Sequence, residues 1–164
     1  MVIVKSKPVL VKKGSTVFLR LAVLSFAALI LALCVIALPL GITSDKTGLY
    51  RWILLGLYVP TVPFFYAIYQ TMKLLQYIDN NTAFSEPSVT VLKDIKYCGS
   101  LIAGLFTLGM PYIFYVADKD DAPGVILIAL ALIGASAAVA VFAAVLQRLL
   151  HDVLVIKSEN DLTV

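Results

Sequence analysis

Charge is what this 164-residue chain has least of. It carries 13 Lys and Arg against 10 Asp and Glu, 14% of all residues, with one histidine and two cysteines. Soluble domains hold about 25% charged residues, so this composition argues against one. A formal charge of +3 supplies no basic face for direct nucleic-acid binding. Two cysteines make no disulfide scaffold, and a single histidine, His151, completes no zinc site. No Ser-His-Asp set, glycine-rich phosphate loop or CxxC pair is present. The sequence therefore offers no cofactor motif and no catalytic residues, and the expectation is a protein that is not an enzyme.

Apolar residues are abundant: 61% of the chain, with a mean hydropathy of +0.97. Four stretches contain no charged residue: Leu21–Ser44, Trp52–Met72, Tyr97–Ala117 and Ala122–Gln147, of 24, 21, 21 and 26 residues. At about 1.5 Å per residue each crosses a hydrocarbon core of roughly 30 Å. Backbone amides in lipid need partners within their own segment, and no ten-residue alternation suggests barrel strands, so these runs are helices. The first reads as a true span: it is too long for a signal-peptide core, and Ile36-Ala37-Leu38-Pro39 is a poor cleavage site. The fold expected is all-α, a single membrane domain over 1–164 forming an integral four-helix bundle. Its spans lie at about 17–42, 50–79, 97–117 and 122–157, the second and fourth overrunning the bilayer.

Ten cations lie on the side of the termini (Lys5, Lys7, Lys12, Lys13, Arg20, Lys73, Lys93, Lys96, Arg148 and Lys157) and three on the other (Lys46, Arg51 and Lys119). The positive-inside rule then predicts both termini in the cytoplasm, in a bacterial inner membrane. Asn80-Asn81 stops the second helix, and Ser85-Glu86-Pro87 starts another, with a Ser N-cap and an early proline. Over 85–96, Val89, Val91, Leu92 and Ile95 share an arc and Thr90, Lys93 and Asp94 lie opposite. That pattern predicts an amphipathic helix lying at the cytoplasmic interface between spans two and three.

Ser136, Ala140 and Ala144 form a small-residue ladder, with Ser100 and Gly104 as the expected counterpart on the third helix. The ladder suits packing within the bundle; a homo-oligomer face is the other reading. Pro60 and Pro63 should kink the second span, where Tyr58, Thr61, Tyr66 and Tyr69 are candidates to line a cavity. A plain packing kink is the alternative. Asp118, Asp120 and Asp121 form an acidic outer loop that is either solvated or a weak cation site, with Lys119 working against the latter. His151 reads as a solvated helix residue, and Cys34 and Cys98 as small apolar residues at different depths. No ionisable side chain falls inside the four uncharged runs, which removes the midplane relay that proton-coupled transport uses.

Several strings carry a resemblance. They are Leu74-Leu75-Gln76-Tyr77-Ile78-Asp79, Thr82-Ala83-Phe84-Ser85, Leu92-Lys93-Asp94-Ile95-Lys96-Tyr97, Val116-Ala117-Asp118-Lys119-Asp120-Asp121-Ala122-Pro123-Gly124 and Ile156-Lys157-Ser158-Glu159-Asn160-Asp161-Leu162-Thr163. Over nearly its whole length the chain resembles a family of small bacterial four-helix membrane proteins of unknown function. That family has no assigned catalytic or binding residues. The resemblance implies a partner, since its members are often encoded beside a small Xre-type helix-turn-helix regulator. A cytoplasmic surface of Val89, Leu92, Lys93 and Lys96, with Lys157, Glu159 and Asp161 in a polar tail ending Leu162-Thr163-Val164, is the expected docking site. The tail reads equally as a frayed terminus. The function expected is regulatory or interaction-based, tethering such a regulator; the alternative is a small-solute or lipid-handling protein that uses the kinked second helix.

Overall fold

The computed structural model describes residues 9–44 and 48–161, and the side chains of 16–44 and 48–160. Six α-helices build four rods: α1 (Val9–Ala32), continued by a π-helical turn (Leu33–Ala37) and α2 (Leu38–Ser44); α3 (Arg51–Gly56) with α4 (Tyr58–Asp79); α5 (Glu86–Lys119); and α6 (Gly124–Asp161). No strand occurs among the described residues. The four rods are long and apolar enough to cross a membrane, at Thr16–Ser44, Arg51–Asp79, Glu86–Lys119 and Gly124–Asn160. At most 17% of any rod's most apolar stretch is buried inside the protein. Leu108, Phe18 and Val62 are more than 70% exposed, as expected where lipid rather than protein solvates the outer surface.

Each rod packs chiefly on its neighbour in sequence: third on fourth most extensively, then second on third, then first on second. On α5, Ser88, Leu92, Ile95 and Gly99 recur along a seam at a 4-3-4 spacing, all buried, and of these Ile95 and Gly99 meet the fourth rod. Opposite them lie Ser136, Ala140 and Ala143, both alanines buried. A Cβ at Gly99 would stand 3.0 Å from the Ser136 carbonyl and 3.1 Å from the Ala140 Cβ, so glycine there permits the backbone approach that membrane helices use. This corrects the expected counterpart. Ser100 and Gly104 lie exposed, with open space beside Gly104, because one residue of offset rotates them about 100° off the seam. On α6, Ser136 and Ala140 hold their expected places, while Ala144 is a half-buried flank beside Ala143.

A second correction concerns residues 85–96. They form no separate interfacial helix; α5 runs unbroken from Glu86 to Lys119. Nothing at Lys96-Tyr97 breaks a helix, so the amphipathic stretch continues along the axis of the span. Its apolar arc, Val91, Leu92 and Ile95, is buried in the bundle; Val91 and Ile95 cluster with Ala143, against Leu74 and Tyr77. Ser85 does occupy the N-cap position, but its hydroxyl donates to the Thr82 carbonyl at 2.6 Å and caps no helical N–H. The fourth helix also continues beyond 157, to Asp161.

The prolines act as their chemistry requires. Pro60 has no N–H for the Gly56 carbonyl, and the second rod breaks at Leu57. In the first rod the Leu38 N–H bonds the Leu33 carbonyl in π register, and Pro39 has no N–H for Cys34. The Cys34 carbonyl instead accepts the Tyr58 hydroxyl from the second rod at 3.0 Å. Both tight turns close with a left-handed polar residue, Asn81 (φ 57°) and Asp121 (φ 48°). The Thr82 N–H reaches the Tyr77 carbonyl at 2.8 Å and that of Ala122 reaches Ala117 at 3.0 Å, the six-to-one bond of a Schellman ending.

The seam predicts that Gly99→Val destabilises the bundle by about 1–3 kcal/mol through overpacking. Gly104→Val should change stability by less than about 0.5 kcal/mol. Denaturant titration in mixed micelles measures both, and equal effects would contradict the assignment of Gly99.

Candidate functional site

Polar side chains join the rods toward both ends, and on the side of the termini three groups do so. Arg20 pairs with Asp79 at 2.8 Å, joining the first rod to the second, both side chains partly exposed. Lys96 donates to the Gln147 side-chain Oε1 at 3.1 Å, joining third to fourth. Between second and third lies a tighter cluster. The Gln70 amide, 4% exposed, donates to the Asp94 carboxylate and, at 3.0 Å, to the Tyr66 hydroxyl. Tyr66 itself reaches Asp94 at 3.4 Å. The Gln70 Oε1 is buried without a protein partner.

Asp94 changes the sequence reading. It lies outside the uncharged runs, yet its carboxylate turns inward and meets Gln70, which belongs to the second run. The helical wheel placed Asp94 opposite the apolar arc. It follows the buried Val91 by three residues and precedes the buried Cys98 by four, which is the spacing of one helix face. Gln70, the sole amide in its uncharged run, was the signal that a polar partner had to come from another helix.

The expected cavity residues divide among three environments. Tyr58 and Thr61 face the first rod, Thr61 lying 3.5 Å from the Cys34 sulfur. Tyr66 belongs to the Asp94 cluster, and Tyr69 is exposed. Pro60 alone among them lines a groove of about 360 Å³ between the second and third rods, with Trp52, Gly56, Phe106, Gly109 and Tyr112. Neither Gly56 nor Gly109 has an atom within 4 Å of where a Cβ would stand. Two absent side chains thus leave an apolar groove, whose lining does not include Pro63, Tyr58, Tyr66 or Tyr69.

The acidic outer loop is a connector. Asp120 accepts the Tyr50 hydroxyl at 2.5 Å, and Tyr112 donates to the Leu49 carbonyl at 3.0 Å. Asp118, Asp120 and Asp121 do not converge as a metal-ligating group, nor do any other three acids, cysteines or histidines among the described residues. The Schellman ending separates the carboxylates.

Of the expected partner surface, Lys93 is exposed and Val89 half-buried, while Leu92 is buried and unavailable. Lys96 is engaged with Gln147 and lies over the Tyr97 ring. Lys157 and Glu159 are on the surface of the last helical turns, which are helix and not a loose tail. The Asp161 side chain and residues 162–164 lie outside the described residues.

A model of the family described as "Protein of unknown function (DUF2975)" matches residues 42–164. The uncharacterized membrane protein YoaS of Bacillus subtilis (strain 168) is 46% identical over 157 residues, covering 92% of this chain and 98% of that protein. No solved structure matches the chain.

A buried amide that loses its carboxylate costs about 1–3 kcal/mol. Gln70→Ala and Asp94→Ala should therefore each destabilise the bundle, and the double variant by less than their sum. A coupling of roughly 0.5–2 kcal/mol in a double-mutant cycle is the expected result. Strict additivity would dissolve the cluster.

Proposed function

The chain belongs to the DUF2975 family of membrane proteins of unknown function, and from that premise we propose a non-enzymatic regulatory protein of the bacterial inner membrane. In this reading both termini are cytoplasmic, supported by the ten-to-three bias of cations toward their side. The protein holds a soluble partner at the membrane, a small Xre-type helix-turn-helix regulator, and so limits how much of it reaches DNA.

The observation that carries the reading is the asymmetry of the two ends. On the loop side α5 ends two residues past its uncharged run and α6 begins two residues inside its own. On the side of the termini α5 begins eleven residues before its uncharged run and α6 ends fourteen residues after its own. Rigid helix beyond the bilayer is a recognition surface without a pocket, suited to helix-on-helix contact. Phe84, 64% exposed at the turn before α5, is its apolar anchor, with Thr90 and Lys93 exposed on the next turns. Lys157 and Glu159 belong to the same end.

The apolar groove at Pro60 favours the second reading, lipid handling. Its lining suits an acyl chain and offers little to a polar solute.

Co-purification tests the proposal: the neighbouring regulator is recovered with detergent-solubilised full-length protein. Phe84→Ala combined with Lys93→Glu should reduce recovery about tenfold, equivalent to ~1.4 kcal/mol of binding. Undiminished recovery would move the docking surface elsewhere, and no recovery with the parent chain would end the tethering model. Equal recovery after deleting 157–164 would remove those residues from it.

A further inference from the structure

We propose that the end of the fourth rod is a two-stranded parallel coiled coil formed with a second copy of this chain. The inference needs no regulator and stands apart from the tethering model.

The register between α5 and α6 sets the geometry. Gly99 lies against Ser136 and Ala140, so Glu86, at the start of α5, falls opposite a residue near 151. From there α6 continues to Asp161 beyond the start of its packing partner, about 15 Å of helix at 1.5 Å per residue. Leu146, Leu149, Val153 and Ile156 follow one another at spacings of three, four and three, from the end of the uncharged run at Leu146 into this overhang at Val153 and Ile156. All four are between 43% and 65% exposed. Upstream, exposed apolar residues on α6 are what lipid requires. The helix leaves the uncharged run at Arg148, and from Leu149 on an exposed apolar row must be covered by something other than lipid.

Three features select a second copy. The 3-4 spacing assigns Leu146 and Val153 to a positions and Leu149 and Ile156 to d positions, the seam of a left-handed coiled coil. The next a position is Asn160, the residue type that fixes register and strand number in parallel dimers. In the same register Asp152 occupies g and Lys157 the following e, both exposed. A g residue reaches the next e residue of a parallel partner, so Asp152 meets Lys157 of the second copy, and the two-fold axis makes the pair twice. Antiparallel pairing is excluded by the membrane, because two copies inserted with the same topology present this helix in the same direction.

Cysteine crosslinking of the full-length chain in native membrane vesicles tests the proposal. Ile156→Cys and Val153→Cys should form disulfide-linked dimers under copper-phenanthroline oxidation. His151→Cys, on the far face at an f position, should give no more dimer than the parent chain. Asp152→Lys and Lys157→Asp should each shift the protein from dimer to monomer in dilute detergent, and the double variant should restore the dimer. Thermal melting of each variant in detergent separates loss of pairing from loss of fold. Equal crosslinking at 151, 153 and 156, crosslinking to a different protein, or charge-swapped chains that remain dimeric without rescue would each overturn the proposal. These outcomes are read without the regulator, so they leave the tethering model to its own test.

Discussion

A bilayer contains no water to repair an unmade hydrogen bond, and that constraint organises this molecule. Apolar side chains gain little by leaving lipid for protein, so they do not specify which helix lies beside which. Polar atoms do. The Cys34 carbonyl, stripped of a backbone donor by the π turn and Pro39, draws Tyr58 from the second rod. Gln70, an amide among apolar neighbours, requires the Asp94 carboxylate from the third. Hydroxyls with no such task turn back onto their own helix, as Thr71, Thr107 and Ser136 do toward the carbonyl four residues earlier. Rod order thus follows from a few buried dipoles, and close packing at Gly99 completes it.

Much of this was legible in the residues, and what was not has identifiable physical causes. The spans could be read because twenty residues without charge leave a chain one option in lipid. The stop at Asn80-Asn81 could be read because asparagine tolerates the left-handed conformation. The amphipathic pattern of 85–96 reads as a separate interfacial helix, whereas Val91 and Ile95 bury that face within the bundle and the helix runs on unbroken. Small-residue spacing alone could not separate Gly99 from Ser100 and Gly104, since each candidate lies on a face of the same helix. The buried neighbours at 88, 92 and 95 decide it.

The candidate site repeats the lesson. Tyr58, Thr61 and Tyr66 were grouped because they surround two prolines in sequence. In space Tyr58 and Thr61 face the first rod at Cys34, while Tyr66 faces Asp94 of the third. Asp94 was missed because it precedes the uncharged run by three residues, while its side chain reaches an amide within the opposing run. The two ends of the molecule are consequently unlike. The loop side is tied down by Tyr50 and Tyr112, and the other side extends as helix.

The account depends on α5 and α6 crossing the bilayer and continuing beyond it along the same axes. Nitroxide accessibility along 86–96 and 147–161, with the full-length protein in lipid nanodiscs, tests this most directly. The expected result is a monotonic rise in exposure to an aqueous nickel reagent from Tyr97 back toward Glu86 and from Gln147 on toward Asn160, modulated at a helical period. Constant depth across 86–96, with one helix face in contact with lipid-dissolved oxygen throughout, would lay that segment in the interface and contradict the account.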